Sequence, residues 1–172
     1  MEKLDQLKEK VREITYLGRA AAVLGWDQQT YMPSGGAEDR GNQLAVLGSL
    51  THRMFTSPEM GQLIEDCKPI VASMDPDSDD ACLVRMLDKN YKKNTRVPTE
   101  HVAEFAQVTT LAQETWARAR AASDFAAFRP YLERIVELRR QYASFFAPYD
   151  HVYDPLLDDF EPGLKTGDVQ AI

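Results

Sequence analysis

The chain has 172 residues, of which 44% are apolar and 27% charged, and its formal net charge is −7. That length and apolar share support one ordinary domain with a core and exclude disorder as the default state. A nucleic-acid binder needs a cationic footprint, and the longest basic cluster, Lys92-Lys93 with Arg96 nearby, reads only as a helix C-terminus complementing its dipole.

Leu4, Leu7, Val11, Ile14, Leu17, Ala21 and Leu24 recur every three or four residues and draw one apolar stripe down a long first helix. Gly25 and the Trp-Asp step after it are expected to end or bend that helix, and Met32-Pro33-Ser34-Gly35-Gly36 is turn chemistry. A second helix is expected over 37–55, with Leu44, Leu47, Leu50 and Met54 on its inner side. Ser57-Pro58-Glu59 combines a cap, a proline at the first helical position and an acid in the first turn, so a third helix starts there and stops near Pro69. The acidic loop over 75–80 leads into a fourth helix marked by Leu83, Val84, Leu87 and Tyr91, which ends before Val97-Pro98. From Thr99 the positions Val102, Phe105, Thr109, Ala112, Trp116 and Ala119 keep a seven-residue rhythm, as in one member of a long antiparallel pair. Ser123-Asp124 interrupts it. A sixth helix, starting near Pro130, carries Leu132, Ile135, Leu138, Tyr142 and Phe145 until Pro148 ends or kinks it. No segment alternates with period two. The expected class is all-α, with long antiparallel helices in hairpins, bundle-like, as a single helical domain over 1–172.

Thr166 reads as an N-cap and Asp168 suits a first helical turn, so a further helix opens there and the chain stops within it at Ile172. The expectation is a chain that formerly continued. Charged residues at the start flow directly into a helix, without an apolar leader core, and the apolar run over 20–26 is far too short to span a bilayer. A cytoplasmic protein without a membrane partner follows, in which Cys67 and Cys82 form neither a redox dithiol nor a zinc knuckle.

Several groups invite a chemical reading. Asp75-x-Asp77-x-Asp79 begins like a calcium loop, but its sixth position is Asp80 in place of glycine and its twelfth is Met86 in place of glutamate. Asp158, Asp159 and Glu161 are nearly contiguous beside Pro162 and read as a solvated turn that draws backbone hydrogen bonds. His52, His101 and His151 stand apart in sequence, and none is followed by Glu. The aromatic series Phe125, Phe128, Tyr131, Tyr142, Phe145, Phe146 and Tyr149 has the spacing of a core stripe, part of which, if a partner is missing, drives self-association into a dimer.

The segment Trp26-Asp27-Gln28-Gln29-Thr30-Tyr31-Met32-Pro33 resembles the N-terminal signature of the carboxypeptidase Taq family of metal-dependent carboxypeptidases. Further matches follow in order: Arg40, Gln43, Leu44, Leu47, His52, then Trp116, Ala119, Arg120, Asp124, Phe125, Phe128 and Pro130, and finally Tyr153-Asp154, Asp159, Glu161, Pro162 and Gly163. The resemblance covers the front part of a much longer family chain. It implies hydrolysis of a peptide's C-terminal bond, with zinc or cobalt held by His-Glu-x-x-His and a downstream carboxylate. It also implies that the front helices wall or cover a groove for unfolded peptides. None of those metal ligands, and no catalytic residue, is expected in this chain, which is therefore expected to be inactive alone. Trp26, Asp27, Thr30, Met32, Pro33, Arg40 and Gln43 are the family-pattern residues, structural or lining the groove; Trp26 is expected as a core anchor whose indole N–H finds a carboxylate, and Asp27 as the cap of the segment through Pro33. The alternative is a stand-alone helical interaction or dimerisation module without catalysis. A carboxylate-bridged metal bundle would need Glu-x-x-His pairs, which are absent.

Overall fold

A computed structural model describes residues 2–172. Among the described residues there are eight α-helices and no strand: α1 Glu2–Thr30, α2 Ala37–Phe55, α3 Pro58–Val71, α4 Asp79–Asn94, α5 Thr99–Ala122, α6 Phe125–Ser144, α7 Asp154–Leu157 and α8 Thr166–Gln170. Long helices turning back in hairpins bear out the all-α class. Two compact units divide the chain, one up to Gln107 and one over Val108–Ile172.

In the first unit, α1 packs on α2 and α3, and α3 packs on α4. Leu4 and Leu7 of α1 close onto Met60, Leu63, Ile64, Cys67 and Val71 of α3 and onto Ala81, Val84 and Leu87 of α4, with Val11 and Ile14 packed against that cluster. Each large side chain hidden in this way contributes about 1.5–3 kcal/mol of apolar transfer. Ser57 and Ser78 cap α3 and α4 as their sequence positions indicate, each hydroxyl accepting the backbone N–H of the residue three further on, Met60 and Ala81. Asp75 turns the chain ahead of α4 by accepting the Asp77 N–H at 2.9 Å, so its carboxylate serves a local turn. The bridges Lys3–Asp66, Lys8–Asp80 and Lys10–Glu59 tie α1 across to its neighbours at the surface, where each stabilises little.

Three boundaries differ from the sequence expectation. Gly25 does not stop α1, which runs on to Thr30; a helical glycine costs about 1 kcal/mol, and the partners of the last turn offset that. Pro69 lies inside α3, whose final turn is kept by burial of Cys67 and Val71. α6 begins at Phe125, well ahead of Pro130, because the Asp124 carboxylate accepts the Ala127 N–H and caps the helix there. In the second unit Leu138 and Ala143 are buried on α6, which packs on α7. The aromatic series is only partly core: Phe125 is well exposed, and Trp116, expected inside, is 39% exposed with the Arg120 guanidinium over its ring at 5.5 Å.

The close approach of α3 and α4 depends on Gly61. A Cβ there would stand 2.5 Å from the Tyr91 hydroxyl, which donates to the Ser57 carbonyl at 3.2 Å while the ring edges onto Phe55. Gly61→Ala must displace that ring and forfeit both contacts. The expected loss is about 1–3 kcal/mol in urea denaturation, recovered in part by the double change Gly61→Ala/Tyr91→Leu.

Candidate functional site

The family-pattern residues gather at the corner where α1 turns into α2. Helix α1 ends with two backbone N–H groups, Tyr31 and Met32, on the single carbonyl of Asp27, each at 2.9 Å, and Pro33 can supply no further donor. The Thr30 hydroxyl donates back to the Trp26 carbonyl at 2.8 Å. Ser34–Gly36 makes one 3₁₀ turn, and Met32 folds over it so closely that a Cβ at Gly36 would meet the Met32 side chain at 3.3 Å.

Arg40, in the first turns of α2, holds this corner. Its Nη2 donates to the Asp27 carboxylate at 2.6 Å, its Nη1 donates to the Leu24 carbonyl, and its Nε donates to the Gln43 side chain at 3.2 Å. A guanidinium presents its donors in a fixed fork, so one side chain reaches a carbonyl in the penultimate turn of α1 and a carboxylate about one turn further on. The Arg40 side chain is 12% exposed and that of Asp27 36%. Asp27 thus serves through its carbonyl and through Arg40, and not as the acceptor of an indole N–H. The expectation of a buried Trp26 is corrected as well. Its side chain is 59% exposed and Tyr31 75%, their rings meeting edge to face at 5.4 Å. A helix buries a residue only where a neighbour reaches, and nothing in the first unit reaches that face.

The histidines are already engaged. His52 Nε2 lies 3.1 Å from the Asn94 carbonyl, which can only accept, so that nitrogen carries the proton; Nδ1 then accepts from the Thr99 hydroxyl at 3.0 Å. The ring staples α2 to the loop between α4 and α5. His101 stacks on Phe105. His151 Nδ1 accepts the Tyr153 N–H at 3.1 Å. Among the described residues, no three His, Cys, Asp or Glu side chains come together as a metal ion requires. The donor set here therefore does not fit a catalytic zinc or cobalt. Cys67 and Cys82 are both free thiols, and burial pushes the Cys67 thiol up.

A second polar centre, which sequence reasoning missed, lies in the second unit. Asp154 is 6% exposed. Its Oδ1 accepts both the Thr166 N–H at 2.8 Å and the Thr166 hydroxyl at 2.7 Å, while Oδ2 accepts the His151 N–H at 3.2 Å and faces Lys165 Nζ at 3.5 Å. The Thr166 donors, backbone first, hold the carboxyl down to about 2 from an ordinary 3.8. Thr166 is thus not the cap of α8. That role falls to Asp168, whose carboxylate accepts the Lys165 N–H at 3.1 Å. Tyr153-Asp154 stood in the family pattern, but the pairing spans a dozen residues and has no local signature. The acidic turn nearby behaves as expected: Asp158 accepts the Gly163 N–H at 2.9 Å, where glycine takes φ +90. Asp159 accepts the Tyr142 hydroxyl at 2.8 Å, and burial, then Asp159, pushes that phenol above its usual range.

The family match, more than the helices or the signature corner, puts the chain among the metallopeptidases. It belongs to the carboxypeptidase Taq (M32) metallopeptidase family, whose model matches residues 6–172. It is 36% identical over 169 residues to thermostable carboxypeptidase 1 of Thermus thermophilus, covering 93% of this chain and 33% of that protein. With thermostable carboxypeptidase 1 of Pyrococcus furiosus it shares 33% identity over 171 residues, covering 99% of this chain and 34% of the other. The solved structure of BsuCP superposes with a TM-score of 0.93 at 27% identity, over 99% of this chain and 34% of that one. The chain spans about a third of the length of the curated relatives it matches.

Two outcomes test these assignments. Arg40→Ala removes the donor of the Asp27 carboxylate and the extra donor on the Leu24 carbonyl and should cost about 1–3 kcal/mol in chemical denaturation; Asp27→Ala, at a partly exposed site, should cost less. For Asp154 the folded state holds the carboxylate ionised while the unfolded chain takes a proton near 3.8. Its stabilisation is complete above about pH 5, falls as the pH drops through 3.8 toward 2 and is gone about a unit below that. The gap in melting temperature between the parent and Asp154→Asn should therefore close between about pH 5 and about pH 1.

Proposed function

We propose that this chain is the front helical region of an M32 metallocarboxypeptidase that removes C-terminal residues from peptides, and that it hydrolyses nothing alone. The observation that carries the reading is the family match over residues 6–172 beside a donor set unable to hold a metal. In this reading zinc or cobalt belongs to a His-Glu-x-x-His set outside these residues, and the corner of Trp26, Asp27, Thr30, Met32, Pro33, Arg40 and Gln43 stiffens one wall of a peptide groove. Arg40 sets the direction of the wall, and the rings of Trp26 and Tyr31 stand out from it. The setting is the cytoplasm, where both cysteines stay reduced.

A second reading is a stand-alone helical module that pairs with a second copy and catalyses nothing. The exposed aromatic rings on α1 favour it.

Purified protein, dialysed with zinc or cobalt and given peptides with free C-termini, should release no amino acid and should retain well under one metal per chain by elemental analysis. Metal-dependent release with one ion bound per chain would overturn the reading.

A further inference from the structure

The second half of α1 carries an apolar face that nothing in the first unit covers. Residues 2–14 hold eight charged side chains, whereas 15–31 hold two, Arg19 and Asp27. Asp27 is taken by Arg40, and Arg19 lies over the Tyr16 ring at 6.0 Å. Yet no residue from Thr15 to Thr30 is buried. Tyr16, Val23 and Trp26, at helical spacing, and Tyr31 against Trp26 are all more than half exposed. Beside them Leu24, Val46 and Leu47 line a shallow hollow rimmed by Asp39, Asn42 and Gln43. Loss of charge, aromatic knobs and a hollow beside them are the composition of an interface core and not of a solvated helix face. Three aromatic rings of roughly 150–250 Å² each, more than half bare, supply about half of the roughly 800 Å² per partner that a specific interface needs.

The geometry points to the metal-bearing remainder of an M32 carboxypeptidase as the occupant, docked on Tyr16, Val23, Trp26 and Tyr31. This rests on the functional reading above. The chain is a third of its relatives' length and keeps the arrangement of the matching third of a far longer solved chain, so twice as much family polypeptide again has to pack against a fold of this shape. The bare face runs into the signature segment at Trp26 and is held rigid from behind by Arg40, so it meets a partner without prior ordering.

Hydroxyl-radical footprinting tests this on three samples: the chain alone at increasing concentration, the intact Thermus thermophilus enzyme at the aligned positions, and that enzyme with this chain grafted in place of its matching third. Tyr16, Trp26 and Tyr31 should label fast in the chain alone at every concentration. In the graft they should label several-fold more slowly, because rings passing from half-exposed to buried lose their access to solvent. If the graft does not fold, slow labelling at the aligned positions of the intact enzyme supports the assignment. Fast labelling in the graft or the intact enzyme overturns it. So does protection in the isolated chain that grows with concentration alongside a dimer in sedimentation, which assigns the face to a second copy. Peptide release is read separately. A protected but inactive graft sinks the functional reading and leaves the docking face, and an active graft with fast-labelled rings does the reverse.

Discussion

A helix can bury only as much of itself as its neighbours are long. Helix α1 runs roughly 43 Å and α3 roughly 21 Å, at 1.5 Å per residue. The consequence is visible residue by residue: Leu4 and Leu7 are buried, Val11 and Ile14 pack against the same cluster, and beyond Ile14 that cluster takes nothing more from α1. Past that point α2 is the neighbour in the first unit, and it buries only Ala37 and Gly41 of its own. The core of this unit is therefore a matter of α3 and α4 closing on the first half of α1, and the remainder of α1 lies against α2, with Arg40 holding its far end.

That arginine explains why the corner is ordered at all. The end of α1 combines a helical glycine and a proline-stopped turn, each of which favours fraying. Arg40 answers the carbonyl of Leu24 and the carboxylate of Asp27 together. Asp27, Thr30, Arg40 and Gln43 of the family pattern are joined by backbone and side-chain hydrogen bonds and this ion pair. The histidines tell the same story from elsewhere in the chain: His52 spends both ring nitrogens on joining α2 to the α4–α5 loop, and His151 spends Nδ1 on the Tyr153 backbone.

Where a helix begins was legible at Ser57, because a cap is a local event written within four residues, and the loop over 75–80 marked the next start without singling out Ser78 as its cap. The apolar stripe of α1 was legible too, since periodicity reports which side of a helix wants burial. It does not report whether anything arrives to bury it, and that is why Trp26 and Trp116, read as inner residues, stand exposed. Gly25 was read as a stop or bend, Pro69 as a stop and Pro130 as a start on local propensity, and each lies inside a helix that a cap or packing carries past it. Asp154 and Thr166 could not be paired from sequence: a carboxylate and a hydroxyl a dozen residues apart meet only once the turns between them are folded.

The tie from Arg40 to Leu24 makes the first hairpin a single thermal unit. Arg40 stands in the first turn of α2 and reaches two groups near the end of α1, so neither end can loosen by itself: fraying of α1 back to Asp27 releases the guanidinium, and unwinding at the start of α2 takes the arginine away from α1. Two helices that look separable on paper share one melting event at their common bend.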